Sequence, residues 1–337
     1  MQTKKIAING FGRIGRLFFR YVFGNPAFDI VAINDLGDLK NFAYLLQYDT
    51  VYGRYDKSVS VSDSKLIVDG KEIAFSQEKD AAKLPWGSLG IDVVVESTGA
   101  FESYEKAKAH LDAGAKRVVI TAPAKDGDGT LGQTVLVGVN EDSAKNVAIT
   151  SNGSCTTNAA SPVMEIMREN PGVEKAILTT VHGYTATQSI VDSPVKGSDW
   201  RRGRAGAQNI IPSTTGAAIA VARVIPELTG KFDGIAMRVP VPTGSIADIT
   251  FIAKRPTSVE EINGIFKKAA VDPRWQGIIK IVEDQIVSSD IVGEPYPAII
   301  DLSFTKVVDG NLVKVLSWYD NEMGYVSALL KHISHLP

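Results

Sequence analysis

The chain's single cysteine lies in Ser151-Asn152-Gly153-Ser154-Cys155-Thr156-Thr157-Asn158, among small hydroxyl and amide residues. An apolar run at 147–149 leads into this stretch and another at 163–167 leads out of it. Small polar residues between two apolar runs suit a strand-to-helix turn. A thiol there lies at a helix N-terminus, where unpaired N–H groups and the macrodipole favour negative charge. The thiolate is the nucleophilic form, and at a free pKa of about 8.5 only a few per cent of it exists at neutral pH. The placement would therefore suit a nucleophile. The usual fate of a free cysteine is a small core position, and the polar flanks on both sides weigh against that fate here.

His182 could serve that thiol. It ends a strand-like run at 175–181, and an imidazole ionising near neutrality can act as its base, giving a thiolate–imidazolium pair. His110 falls in a polar helical pattern, and His332 and His335 lie in the tail. A hydrogen-bonded structural histidine is the alternative. No Cys/His spacing matches a zinc site, so no metal is expected.

A third site is read at the start of the chain. Ile6-Ala7-Ile8-Asn9 is a buried-strand pattern, followed at once by Gly10-Phe11-Gly12-Arg13-Ile14-Gly15 and a helical stretch at 16–23. A second apolar strand, 30–34, ends at Asp35, about 20 residues after the last glycine. This is a complete β-α-β dinucleotide fingerprint. Gly10 permits the tight turn, Gly12 lets the backbone approach a pyrophosphate, and Gly15 lets helix and strand pack closely. The pyrophosphate would rest on the helix N-terminus. The Asp35 carboxylate would bind ribose hydroxyls and repel a ribose phosphate, which favours NAD over NADP.

These groups need a frame. Strand patterns at 91–96 and 117–121 alternate with a helix at 102–113, which predicts a doubly wound, mostly parallel sheet with ligands at the carboxyl ends of its strands. Ser97, Thr98 and Thr121 stand at such ends, where turn or cap roles are equally available. Asp69-Gly70 and Asp309-Gly310-Asn311 read as hairpin turns. Pro162 should kink the helix after Cys155. From 183 to 213 the chain is irregular and rich in Gly, Pro and Arg, and a loop that long is usually functional. Strand patterns at 237–241, 246–253, 299–304 and 313–318, with a capped helix from Ser258, give a second, α+β half with a mostly antiparallel sheet. A helix at 322–333 closes the chain.

With 337 residues, 44% of them hydrophobic, the chain should form about two well-filled domains. A net charge of −2 provides no electrostatic attraction for nucleic acid or an anionic membrane. No apolar run reaches membrane-spanning length. One cysteine permits no internal disulfide, and the N-terminus runs straight into a strand with no leader pattern. A cytoplasmic protein is expected.

The motifs together resemble the phosphorying, NAD-dependent glyceraldehyde-3-phosphate dehydrogenase family over essentially the whole chain. The resemblance rests on the segments 9–16, 154–158, 180–188, 214–218, 237–242 and 318–325. It implies a Rossmann domain of residues 1–152, completed by 319–337, and a catalytic domain of residues 153–318. It implies that Cys155 attacks the aldehyde, that His182 takes the proton, and that hydride transfer to NAD leaves a thioester cleaved by inorganic phosphate. Thr185 and Arg238 are carried over to the phosphate of glyceraldehyde 3-phosphate. Ser154, Thr156, Thr215 and Gly216 are carried over to inorganic phosphate, with Arg202. Arg201 and Arg204 read better as a solvated or subunit-contact cluster. Arg13, Ile14, Asp35, Lys79, Thr121 and Asn321, with the three glycines, match cofactor positions. The family is homotetrameric. A sister activity, oxidation of erythrose 4-phosphate with water in place of phosphate, shares the same scaffold. Ala159 stands where a second cysteine is common, and Gly153 and Gly183 replace the commoner Ala and Ser.

Overall fold

The computed structural model describes residues 3–337. The chain divides into two compact units. The first runs up to Val135, resumes over Glu141–Gly153 and ends with Leu329–Pro337; Leu136–Asn140 and Ser154–Ala328 form the second.

The first unit is built on a nine-stranded sheet. Its order is Gly132–Thr134, Ile149–Ser151, Arg117–Ile120, Val93–Glu96, Lys4–Asn9, Phe28–Asn34, Lys71–Ser76, Lys65–Val68, Val59–Ser62. The first seven are parallel, and the last two turn back antiparallel. The central strands Lys4–Asn9, from Ile6 onward, and Val93–Glu96 are buried at every residue because both sheet faces are covered. The first strand has Phe28–Asn34 on one side and Val93–Glu96 on the other. Its carboxyl end is therefore the point where the winding reverses, and that is where such sheets bind ligands. Asp69 and Gly70 both have positive φ, 48° and 79°, the conformation a two-residue hairpin turn requires.

The end of the last helix, Met323–His335, belongs to this unit from Leu329 onward. Lys4 Nζ donates to the carbonyls of Ile333, at 3.0 Å, and Leu336. His332 is fully buried, with Nδ1 3.1 Å from Asn152 Oδ1 and Nε2 2.8 Å from Thr150 Oγ1. The amide oxygen can only accept, so Nδ1 carries a proton, and the Thr150 hydroxyl can donate to a neutral Nε2. Burial lowers the His332 pKa to about 3, from an ordinary value of 6.5. An unfolded chain takes up a proton here below pH 6.5, whereas the folded one resists until about pH 3. Stability is thus complete above pH 6.5 and lost as pH falls, by about 2 kcal/mol at pH 5 from this ring alone. The unfolding midpoint in urea is expected to fall between pH 7 and pH 5, and to fall less in His332→Gln. Equal slopes in the two proteins would remove His332 as the cause.

The second unit carries a seven-stranded sheet in the order Ile211–Thr214, Phe232–Val239, Val173–Gly183, Ser245–Ala253, Leu312–Tyr319, Ala298–Val308, Ile279–Val282. Four of its neighbouring pairs are antiparallel and two are parallel. Helices Cys155–Glu169, Ala217–Val224 and Val259–Ala269 cover one face and close a core of Val163, Met164, Leu178, Ile249 and Phe266. The helix from Cys155 stays a single element across Pro162, so the expected kink does not divide it. Proline costs one backbone bond there, and the buried Ala159, Ala160 and Val163 around it hold the helix in place. The irregular stretch after Gly183 is pinned by a short 3-10 turn, Trp200–Gly203, and closes with the edge strand Ile211–Thr214.

Candidate active site

The helix Cys155–Glu169 begins at the cysteine itself. Ser154 is its N-cap and accepts from the Thr157 N–H at 3.1 Å, while Thr157 Oγ1 accepts from the Ser154 N–H at 3.1 Å. This reciprocal box contributes about 1 kcal/mol and fixes the first turn, and with it the direction of the thiol. The strand Val173–Gly183 brings His182 to that turn: Cys155 Sγ lies 3.3 Å from His182 Nε2. Arg238 is the register partner of His182 on the neighbouring parallel strand Phe232–Val239. Its Nη1 lies 2.6 Å from His182 Nδ1 and 3.2 Å from the Gly183 carbonyl oxygen.

His182 is buried and Cys155 and Arg238 are half-buried, and burial weighs on the charges of all three. Burial pushes the Cys155 thiol pKa up, and the Arg238 guanidinium opposes that rise. Burial, followed by Arg238, lowers the His182 pKa to about 3. Burial works against the expected thiolate–imidazolium pair, and the Arg238 guanidinium favours its thiolate half while disfavouring its imidazolium half. An imidazolium would face a guanidinium at 2.6 Å, and a guanidinium has no lone pair with which to accept a proton. The cation placed to support a thiolate here is Arg238, a role the residue spacing did not reveal.

Tyr319 was also missed, although it ends a strand two residues before Asn321. Its buried hydroxyl lies 2.9 Å from Thr156 Oγ1 and 2.6 Å from Thr180 Oγ1, and its ring meets His182 edge to face at 5.9 Å. It locks the back of the imidazole and the first turn of the helix together.

Of the candidate phosphate ligands, Thr185 Oγ1 is 3.0 Å from Thr187 Oγ1, which accepts from Arg202 Nη1 at 3.3 Å. Arg202 is further held by Ser213 Oγ at 3.1 Å and Asp199 Oδ2 at 3.3 Å, and its charge reaches His182. Arg201 and Arg204 are exposed and pair with Asp199 and Asp192. Gly216 caps the helix Ala217–Val224, and Thr215 Oγ1 accepts from the Ala217 N–H at 3.2 Å. The Ser154 and Thr156 hydroxyls already meet Thr157 and Tyr319. Asn321 is buried, and its Oδ1 accepts from Ser245 Oγ at 2.8 Å and Thr243 Oγ1 at 3.1 Å, which fixes the amide orientation.

In the first unit, a cleft of about 360 Å³ is lined by Asn9, Gly10, Gly12, Asp35, Lys79 and Thr98, among others. The three glycines differ in what a side chain would meet. Gly10 has φ +94°, and a Cβ there would come within 2.6 Å of the Ser97–Thr98 backbone. At Gly15 it would lie 2.1 Å from the Gly10 carbonyl oxygen. At Gly12 it would meet nothing within 4 Å, so the space beside that backbone is open to a ligand. This cradle fits a pyrophosphate. Asp35 accepts from the Phe11 N–H at 2.6 Å and the Gly37 N–H at 3.0 Å, which ties the second strand to the glycine loop. Arg13 is held by Asp49 at 2.5 Å, Ile14 is half-buried in the following helix, and Thr121 Oγ1 donates to the Glu96 carbonyl at 3.0 Å.

Beneath the loop, the buried Glu96 carboxylate accepts from Thr98 N–H and Oγ1, Asn9 Nδ2 and His110 Nε2. The Trp86 indole N–H donates to His110 Nδ1 at 3.0 Å, so that ring is neutral with its proton on Nε2. His110 thus helps to seat the floor of the cleft.

Residues 4–104 match the domain described as glyceraldehyde 3-phosphate dehydrogenase, NAD binding domain, and residues 154–321 match the C-terminal domain of the same enzyme family. The chain is 54% identical to a glyceraldehyde-3-phosphate dehydrogenase of Thermotoga maritima over 95% of each chain. It is 50% identical to one of Streptomyces coelicolor, over 97% of each, and 49% identical to one of Geobacillus stearothermophilus, over 95% of this chain and 94% of that one. The chain belongs to the glyceraldehyde-3-phosphate dehydrogenase family. Its cofactor is NAD. Within that family, the fold is the NAD-binding parallel sheet joined to a mostly antiparallel C-terminal sheet. No helix among the described residues is long and apolar enough to cross a membrane.

Proposed function

We propose that this chain oxidises D-glyceraldehyde 3-phosphate and captures the product with inorganic phosphate as 1,3-bisphosphoglycerate. The observation that carries the reading is the 3.3 Å approach of Cys155 Sγ to His182 Nε2 beside the Arg238 guanidinium. Cys155 Sγ attacks the aldehyde carbon, and the carbonyl oxygen becomes the hydroxyl of a hemithioacetal. His182 passes the thiol proton to that oxygen, and the Cys155 backbone N–H is its other donor. His182 then takes the hydroxyl proton as hydride leaves the same carbon, and a thioester remains on Cys155. NAD, when bound, supplies the hydride acceptor. A phosphate oxygen attacks the acyl carbon, the carbon–sulfur bond breaks, and Cys155 departs as the thiolate. Throughout, the thioester preserves the oxidation energy for phosphate.

In this reading Thr185 and Arg238 hold the substrate phosphate. Ser154, Thr156, Thr215 and Gly216 hold the attacking phosphate, with Arg202 contributing charge through its link to Thr187. A planar guanidinium pairs two phosphate oxygens at once. Gly10, Gly12, Arg13, Ile14, Gly15, Asp35, Lys79 and Thr121 hold the dinucleotide, and Asn321 its carboxamide. The homotetramer of the family is the proposed assembly. It is supported by apolar side chains left exposed on the second unit's strands, among them Ile177, Ile235 and Phe304.

The test is NADH formation from glyceraldehyde 3-phosphate with and without inorganic phosphate, run in parallel with NADP. Turnover is expected to need phosphate and to favour NAD. A rate indifferent to phosphate would instead mean hydrolysis of the thioester and would overturn the reading.

A further inference from the structure

Asn321 is held by a short relay of hydroxyls that lies wholly within the second unit. The Gly183 N–H donates to Ser245 Oγ at 3.1 Å, and Ser245 Oγ lies 2.8 Å from Asn321 Oδ1. A backbone N–H can only donate, so the hydroxyl uses a lone pair on Gly183 and turns its one proton towards the amide oxygen. Thr243 Oγ1 stands 3.1 Å from the same oxygen and 2.8 Å from Asp320 Oδ1, and shares its proton between them. The buried Asp320 carboxylate is fixed in turn by the N–H groups of Gly293 at 2.7 Å, Glu322 at 2.9 Å and Met323 at 3.1 Å, at the start of the last helix. A side chain at Gly183 would meet the Val241 carbonyl oxygen at 3.0 Å and Thr243 Cα at 3.2 Å. The strand end that carries His182 therefore lies directly on the segment that carries Thr243.

An amide turns easily about its last torsion, whose profile is broad and roughly two-fold. Its oxygen and nitrogen are nearly equal in size, so packing alone does not choose between the two orientations, and hydrogen bonds must. We propose that Ser245 is a positioning residue for the cofactor: its hydroxyl sets the orientation of the Asn321 amide, with Thr243 as a second support. The inference rests on the proposed role of Asn321 in holding the nicotinamide carboxamide. Ser245 is fully buried, so water does not replace its hydroxyl, and it acts through Asn321. Without that hydroxyl the amide also samples the flipped orientation, in which donor and acceptor exchange places. A carboxamide then meets a matching edge for only part of the time, and apparent affinity falls by that fraction.

The experiment measures kcat/KM for NAD, with glyceraldehyde 3-phosphate and inorganic phosphate saturating, in four full-length chains: unaltered, Ser245→Ala, Asn321→Ala and the double variant. Ser245→Ala is expected to lose about fivefold, the effect of one neutral hydrogen bond. In the Asn321→Ala background the same change is expected to cost nothing further, to within about twofold. A purely structural serine would give losses that multiply. KM for glyceraldehyde 3-phosphate and the rate of Cys155 alkylation by iodoacetamide are expected to stay unchanged in Ser245→Ala. A shift in either would place the effect at His182 and count against the inference, as would multiplying losses or full kcat/KM in Ser245→Ala. If Ser245→Ala fails to fold, Thr243→Val removes the second hydroxyl from the same oxygen and carries the same cycle. Unchanged kcat/KM for NAD in Asn321→Ala would instead remove Asn321 from the proposed cofactor site, so failure of that reading and failure of the relay give different results.

Discussion

Replacing Cys155 with Ser is expected to lower dehydrogenase turnover by about 10⁴-fold or more while NAD binding survives. A hydroxyl ionises so far above neutrality that neither the helix N-terminus nor Arg238 can bring it into range. The thiol, raised by burial and opposed by Arg238, is within reach of both. Serine is close in size, so the Ser154–Thr157 capping box and the core behind it should hold. NADH formation reports the loss, and titration calorimetry with NAD reports the intact cofactor site. Turnover within tenfold of the unaltered chain would place the chemistry elsewhere.

His182→Asn is expected to cost about 10²–10⁴-fold in kcat/KM, the range for removing a positioned proton acceptor. It should also slow alkylation of Cys155 by iodoacetamide, because the Nε2 contact at 3.3 Å is lost. The two readouts separate roles. A slower kcat with unchanged alkylation would mean that His182 acts only on the hydroxyl of the hemithioacetal. Unchanged values of both would remove it from the site.

The parts legible in the sequence were those encoded over short spans. Gly10, Gly12 and Gly15 sit between one strand and one helix, and each glycine has a separate local reason that the coordinates express as a clash or an opening. Cys155 could be placed at a helix start because its capping residues adjoin it. Asp69-Gly70 and Asp309-Gly310 carry turn chemistry in two residues each, and all four show positive φ. What could not be read depends on pairing between distant strands. His182 and Arg238 meet because the strands Val173–Gly183 and Phe232–Val239 are parallel neighbours in register, and no local pattern states that register. Tyr319 reaches Thr156 and Thr180 for the same reason. Arg238 was reached through the family resemblance as a phosphate ligand, and its place beside the imidazole was not legible because it depends on that register. At Pro162 the local rule was right about the lost bond and incomplete about the surrounding core.

The in-register meeting of His182 and Arg238 also sets an order of events during synthesis. The cysteine emerges from the ribosome long before Arg238, and the loop that must close to join their strands is long and slow to form. Until that closure, the sulfur lacks the guanidinium that favours its ionised form and behaves as an ordinary thiol. The side chains that surround the sulfur come together only with the finished second unit.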